Sequence, residues 1–146
     1  MKKRFRCTVA VHLLLIRGKK LLLLRRYNTG FCDGMFSVPA GHIDGNENVI
    51  EAMLRETKEE ITVDVDEKDL KFTQVMHRKK PDEERIDFFF ESQSWNGKIK
   101  IGEPDKCDKL EWADLDNLPE NIVPYVRHAI EQYIRKKYLS FFGWRG

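Results

Sequence analysis

Residues 41–63 read GHIDGNENVIEAMLRETKEEITV, and this run decides the fold. Counting from Glu56, the residues three and four further on are Glu59 and Glu60, so three carboxylates project from one face of a helix. At 100° per residue the apolar set Ile50, Met53, Leu54 and Ile61 falls about 115° away. The helix, expected over 47–61, offers one side to a core and a separate side made of acid. Glu47 at its start suits the positive end of the helix dipole. Solvated like charges at this spacing cost roughly 0.2–0.5 kcal/mol per pair. With partial burial, two charges ~4 Å apart repel by about 4 kcal/mol at an effective dielectric of 20. A hard divalent cation cancels that cost, because Mg²⁺ and Mn²⁺ prefer carboxylate and carbonyl oxygen. A solvated acidic surface is the plainer alternative. The combination with Gly41, Glu47 and Arg55 at fixed spacing favours the cation.

Written out, the pattern is Gly41, five residues, Glu47, seven residues, then Arg55-Glu56-Thr57-Lys58-Glu59-Glu60-Ile61-Thr62-Val63. It resembles the box of the Nudix (MutT-like) hydrolase family, Gly-x5-Glu-x7-Arg-Glu-U-x-Glu-Glu-x-Gly-U, where U is a bulky aliphatic residue. Every charged position is present. Two positions depart. Thr57 stands where an aliphatic residue is expected, on the core-facing side, and can return a hydrogen bond to a carbonyl in the preceding turn. Thr62 replaces the second glycine, which permits a left-handed helix end, so the turn after Ile61 is expected to differ in detail. The likeness extends outward through SVPAGHID, MHR at 76–78, RIDFFF at 85–90, EPDKCDKLEW at 103–112, LPENIVPYVRHAI at 118–130 and the terminal FFGW.

The resemblance implies cleavage of a nucleoside diphosphate linked to another group, by water attack on phosphorus, with Mg²⁺ or Mn²⁺ as cofactor. Such catalysis is chiefly positioning and charge neutralisation. Under it, Glu56, Glu59 and Glu60 match metal-binding carboxylates, the Gly41 carbonyl matches a further ligand, and Glu47 supports the metal directly or through water. Arg55 orients a neighbouring glutamate by a charge-assisted hydrogen bond. A surface pairing of Arg55 with Glu51 or Glu59 is the alternative. For the general base, Glu56 is the candidate within the box and Glu103 the candidate in a later loop, with Glu91 weaker. The segment 27–36, YNTGFCDGMF, reads as a loop over the site. Tyr27, Phe31 and Phe36 are candidates to stack on a base and Asp33 to hydrogen-bond it, although Phe36 also suits a core. Arg25 and Arg26 are candidates for phosphate, one of them facing away because strand side chains alternate. His77 and Arg78 are placed at a strand end near the cleft, with structural hydrogen bonding the alternative for His77.

The expected fold class is α/β, a mixed β-sheet sandwiched between helices (α/β/α), in one domain spanning 1–146. Strands are expected at 5–16, 19–26, 35–38, 71–78, 85–93, 97–101 and 109–112. A second helix is expected over 122–138, where Ile122, Val126, Ile130, Ile134 and Tyr138 keep a helical stride. The first two strands carry long apolar stretches and belong inside a sheet covered on both faces. KKPDEE marks a turn between strands, and Asn96-Gly97 a tight turn. The aromatics Tyr138, Phe141, Phe142 and Trp144 suggest a packing or dimer patch.

Composition narrows the partners. The 26 basic and 24 acidic side chains balance to +2, too even for a nucleic-acid footprint. Cys7, Cys32 and Cys107 are odd in number and widely spaced, which argues against a disulfide framework or zinc site and fits a reducing cytoplasm. MKKRFR precedes an apolar run that is short and interrupted by His12, which reads as a hairpin strand rather than a signal peptide. No stretch reaches the ~20 residues that span a membrane. The partner that the resemblance implies is a small nucleotide, with a homodimer left open. A nucleotide sensor without activity is the alternative, disfavoured by the full set of box carboxylates, and an RNA-end pyrophosphohydrolase is another, disfavoured by the modest charge.

Overall fold

The computed structural model describes residues 2–145. Its strands are β1 (Thr8–Arg17), β2 (Lys20–Arg26), β3 (Phe36–Ser37), β4 (Ala40–His42), β5 (Lys71–Lys80), β6 (Glu83–Ser92), β7 (Cys107–Asp114) and β8 (Leu139–Phe142). The α-helices among the described residues are α1 (Val49–Ile61) and α2 (Pro124–Ile134), with a short 3₁₀ turn at Glu67–Asp69. The sheet runs β3-β2-β1-β6-β5-β8, with β4 paired to β1 and β7 to β2. β1 is parallel to β6 and antiparallel to β4, so the sheet is mixed.

Alternation along β1 builds two cores. Val11, Leu13 and Leu15 face α1 and pack with Ala52, Met53 and Ile61. Leu14 and Ile16 face the other way, toward Val126, Ala129 and Ile130 of α2. A strand buried on both faces needs the near-continuous apolar run that residues 8–17 supply. The α/β/α layering follows directly.

α1 begins one turn-corner later than its charge pattern suggests. Asn48 is the N-cap: its side chain accepts from the Glu51 N–H, and Glu51 returns the bond to the Asn48 N–H. Such a box is worth about 1 kcal/mol. Glu47 therefore stands just outside the helix rather than at its start. Thr57, fully buried, donates from Oγ1 to the Met53 carbonyl at 2.7 Å. The half-polar residue in the apolar face is thereby satisfied. At the other end Thr62 adopts the left-handed conformation itself, at φ 63° and ψ 20°. The turn keeps its left-handed geometry despite the threonine, and Oγ1 of Thr62 donates to the Lys98 carbonyl at 2.9 Å.

Two expected elements differ. Residues 97–101 form no strand. Asn96 pairs with Asp64 instead of turning a hairpin, and the following backbone serves α1, with the Lys100 N–H donating to the Ile61 carbonyl and the Gly102 N–H to the Glu60 carbonyl. The second helix stops at Ile134, well short of 138. The chain then turns through Lys136, at φ 59°, and Leu139–Phe142 adds β8 in parallel to β5. The aromatic tail is thus a sheet edge, with Phe142 packed on the α2 core and Tyr138 and Phe141 exposed.

Candidate active site

A groove of about 520 Å³ opens between the acidic face of α1, β4 and the loop that precedes β7. Glu56, Glu59, Glu60, Gly41 and Glu103 all line it. Gly41 is fixed on β4 opposite Val11 of β1, and its backbone lies directly against the Glu56 carboxylate. A Cβ at Gly41 would overlap the carboxylate carbon and both its oxygens. Glu103 reaches the groove through Gly102, where a Cβ would overlap the Glu59 carbonyl oxygen. The glycine lets the 102–107 turn dock on the end of α1, and the Lys106 and Cys107 N–H groups close that turn on the Glu103 carbonyl. Sequence reading missed Gly102. Its only signal was a glycine directly before the candidate base.

Arg55 is the hub of the acidic face. Its Nε donates to Glu47 Oε1 at 3.0 Å and its Nη2 to Glu47 Oε2 at 2.8 Å. Its Nη1 donates to Glu56 Oε1 at 2.7 Å and approaches Glu59 at 3.4 Å, while Nη2 also meets the His42 carbonyl at 3.2 Å. Arg55 thus bonds the neighbouring Glu56 and also pairs four residues on with Glu59, while Glu51 is engaged in the cap with Asn48. Glu47 acts on the guanidinium and on the Asp44 N–H, rather than lining the groove. Paired to Arg55, its carboxyl is held below the usual range.

The electrostatics single out Glu60. Burial pushes its carboxyl up to about 8, against the opposing hydrogen bond from the Ala40 N–H at 2.9 Å. Charges on Glu56 and Glu103 push it further the same way. Burial also raises Glu56, with Arg55 working against the shift. A buried carboxylate needs a proton or a cation. Among the described residues no three His, Cys, Asp or Glu side chains already close on one point. Arg55 spans Glu47, Glu56 and Glu59 instead. The donor set of carboxylates beside a glycine backbone that leaves room for nothing larger nonetheless fits a hard divalent ion.

The remaining candidates separate. Arg25 and Arg26 both line the groove, because the β2–β7 register shifts between them and breaks the expected alternation. Arg25 is paired with Asp108 at 2.8 Å, and Arg26 holds the 27–35 loop by donating to the Phe31 carbonyl at 2.6 Å. Asp33 turns inward on its own loop, accepting from Thr29 and Gly30, which holds its carboxyl below the usual range. Phe36 is a core residue, 4% exposed, and not a stacking platform. Tyr27 is exposed but outside the groove lining. His77 lies on the far part of β5, bonded to Glu84 at 2.8 Å and stacked edge-on against Trp144. Glu91 accepts from Tyr133 at 2.8 Å, also away from the groove. Cys32 packs toward the α2 core, whereas Cys107 lines the groove.

Similarity to known proteins agrees with this geometry. A family profile described as the NUDIX domain matches residues 6–133. An ADP-ribose pyrophosphatase of Methanocaldococcus jannaschii is 32% identical over 129 residues, covering 88% of this chain and 74% of that protein. The NAD-capped RNA hydrolase NudC of Stutzerimonas stutzeri is 28% identical over 135 residues, and the match spans 92% of this chain but only 45% of that protein. Among solved structures, the MutT NUDIX hydrolase from Burkholderia pseudomallei superposes with a TM-score of 0.80 at 25% identity, covering 87% of this chain and 98% of that one.

Proposed function

The chain belongs to the Nudix family and is a hydrolase of pyrophosphate bonds, and from that premise we propose that it cleaves nucleoside diphosphate derivatives with a divalent cation, releasing a nucleoside monophosphate. The observation that carries the reading is the convergence of Glu56, Glu59, Glu60 and Glu103 with the Gly41 backbone on one groove. Glu56, Glu59, Glu60 and the Gly41 carbonyl would hold Mg²⁺ or Mn²⁺. When bound, the cation offsets the charge that builds on the pyrophosphate oxygens.

The protein's own groups do the rest. Glu103 lines the groove from the turn docked on the end of α1 and has no ion-pair partner among the described residues, so it is the carboxylate best suited to accept a proton from the attacking water. Glu56 is less suited, because Arg55 holds one of its oxygens. Arg25, Arg26 and Lys106 line the same groove and supply positive charge for phosphate. Arg55 fixes the angle of Glu56 through Glu47.

The test is a screen of purified protein with Mg²⁺ or Mn²⁺ against ADP-ribose, NAD, nucleoside triphosphates and nucleotide sugars, with products identified by mass. ADP-ribose leads because a relative is named for it. Metal-dependent release of a nucleoside monophosphate, lost in Glu59→Gln, is the expected result. Nucleotide binding without turnover across the panel overturns it in favour of a sensor.

A further inference from the structure

Beside the acidic groove lies a second cavity of about 330 Å³ with the opposite charge. The two share the wall Ala40–His42 and Arg26. Arg26, Arg78, Lys80 and Arg85 line the second cavity, and among the described residues no carboxylate does. Its compensating acids stand behind the lining. Asp87, fully buried, takes Arg78 at 2.8 Å, and Glu83 takes Arg85 at 3.2 Å and Lys80 at 3.4 Å. Asp33 and Glu60 also act on Arg26, so the excess of positive charge belongs to the lining itself, where Arg78, Lys80 and Arg85 meet Asp87 and Glu83 only from behind.

The floor is built to keep that charge in place. His12, buried on β1, bonds Tyr125 at 2.9 Å and stacks on Phe89, with burial lowering its pKa to about 4. It is a neutral hydrogen-bonder at neutral pH and adds no charge. The Arg78 guanidinium lies 3.6 Å from the centre of the Tyr125 ring. Arg85 reaches His42 at 2.6 Å, and a guanidinium has only donors, so the His42 Nε2 accepts. The Nε–H of Arg85 is buried without a hydrogen-bond partner. These groups can also stack on or hydrogen-bond a neutral base or sugar, but a phosphate or carboxylate gains a charge-assisted bond, roughly twice as strong as a neutral one, from each cation it reaches.

We propose that this cavity binds a second anionic group of the substrate, so that the preferred substrates are nucleoside diphosphate derivatives carrying a phosphate or carboxylate in addition to the scissile pyrophosphate. The proposal rests on the pyrophosphohydrolase reading, because it places that pyrophosphate in the adjoining groove. The substrate would then lie across the shared wall, with its pyrophosphate in the acidic groove and its extra anion in the basic cavity.

Two matched pairs of ligands test this. UDP-glucose and UDP-glucuronate differ by a carboxylate on the sugar side, while NAD and NADP differ by a phosphate on the nucleoside side. Calorimetric titration with Mg²⁺ uses the Glu103→Gln protein, in which hydrolysis is slowed and binding is read directly. The anionic member of at least one pair is expected to bind about tenfold tighter or more, and that pair shows which end enters the cavity. Adding Lys80→Gln or Arg85→Gln should bring the ratio toward one. Lys80 is solvent-accessible, so its variant folds even if the Arg85 variant does not. Equal affinity within both pairs, no binding of any member, or a preference that survives Lys80→Gln overturns the proposal. Hydrolysis is scored separately in the wild-type protein. A binding preference without turnover sinks the enzymatic reading and leaves the cavity's ligand class standing.

Discussion

Gly41 presents only hydrogen to the carboxylate of Glu56, and a methyl group there would occupy the space that this carboxylate fills. The obstacle is the far end of a flexible side chain, not backbone, so the fold can yield while the site cannot. Gly41→Ala should leave the melting temperature within a few degrees. It should lower kcat/KM by about 100-fold or more, the loss typical when one oriented electrostatic group is displaced. Thermal melts beside steady-state kinetics check both halves. Loss of the fold with Glu56 still in place would refute the spatial account.

Gly102 makes the contrasting case. A Cβ there meets the Glu59 carbonyl, which is helix backbone and cannot swing aside. Gly102→Ala should prise the 102–107 turn from α1, destabilise the protein by roughly 1–3 kcal/mol and lower activity together with stability. Denaturant titration gives the first quantity.

Glu60 links stability to pH. Its folded pKa of about 8 lies above the ordinary carboxyl value of 4.5, so the folded state binds the proton more tightly than the unfolded chain. Stability from this group is full below about 4.5 and is lost as pH rises through about 8. In chelator, melting temperature should fall over that window. Glu60→Gln keeps the acceptor for the Ala40 N–H and removes the buried charge. It should flatten the slope, raise stability at pH 8 by about 1–4 kcal/mol and abolish metal-dependent turnover. Divalent-ion binding near neutral pH should release a proton, read as a dependence of calorimetric heat on buffer ionisation enthalpy.

Glu103 and Glu56 are separable by what they lose. Glu103→Gln should cut kcat by roughly 100- to 10,000-fold while leaving Mg²⁺ affinity within a fewfold, whereas Glu56→Gln should weaken both. A Glu103→Gln enzyme with an unchanged pH–rate profile would move the base elsewhere.

Thr62 holds a left-handed conformation disfavoured for a β-branched residue by about 1–2 kcal/mol, partly offset by its bond to Lys98. Thr62→Val keeps the strain and loses the bond, so it should cost about 1–2 kcal/mol. Thr62→Gly relieves the strain and loses the same bond, and should fall within about 1 kcal/mol of wild type. Equilibrium unfolding distinguishes them.

What could be read from the chain follows the range of the forces. The α1 face, the back-bond of Thr57 and the double burial of β1 are set by spacing within a few residues, and they appear as expected. The 97–101 segment misled because Asn-Gly is a local turn signal, while its real partners are carbonyls at the end of α1. β8 was hidden because Leu139–Phe142 becomes a strand only by pairing with β5, some sixty residues earlier. Phe36 and His77 carry types suited to ligands, and the alternatives set beside them, a core place and a structural hydrogen bond, are the ones that long-range packing realises. The basic cavity escaped notice because its cations come from β2, β5 and β6 and meet only across the sheet. Arg26 and Arg78 are placed near the cleft one by one, and nothing local to either shows that they meet.

Arg55 gives the acidic helix an internal counter-ion. Assembly of the domain therefore need not wait for a metal supply, unlike small domains whose shape exists only once an ion is bound. Refolding from denaturant in chelator should reach the same end point as refolding with Mg²⁺. On the divalent-ion chemistry proposed above, the metal-free protein would be folded but idle, and would regain turnover once the ion is supplied.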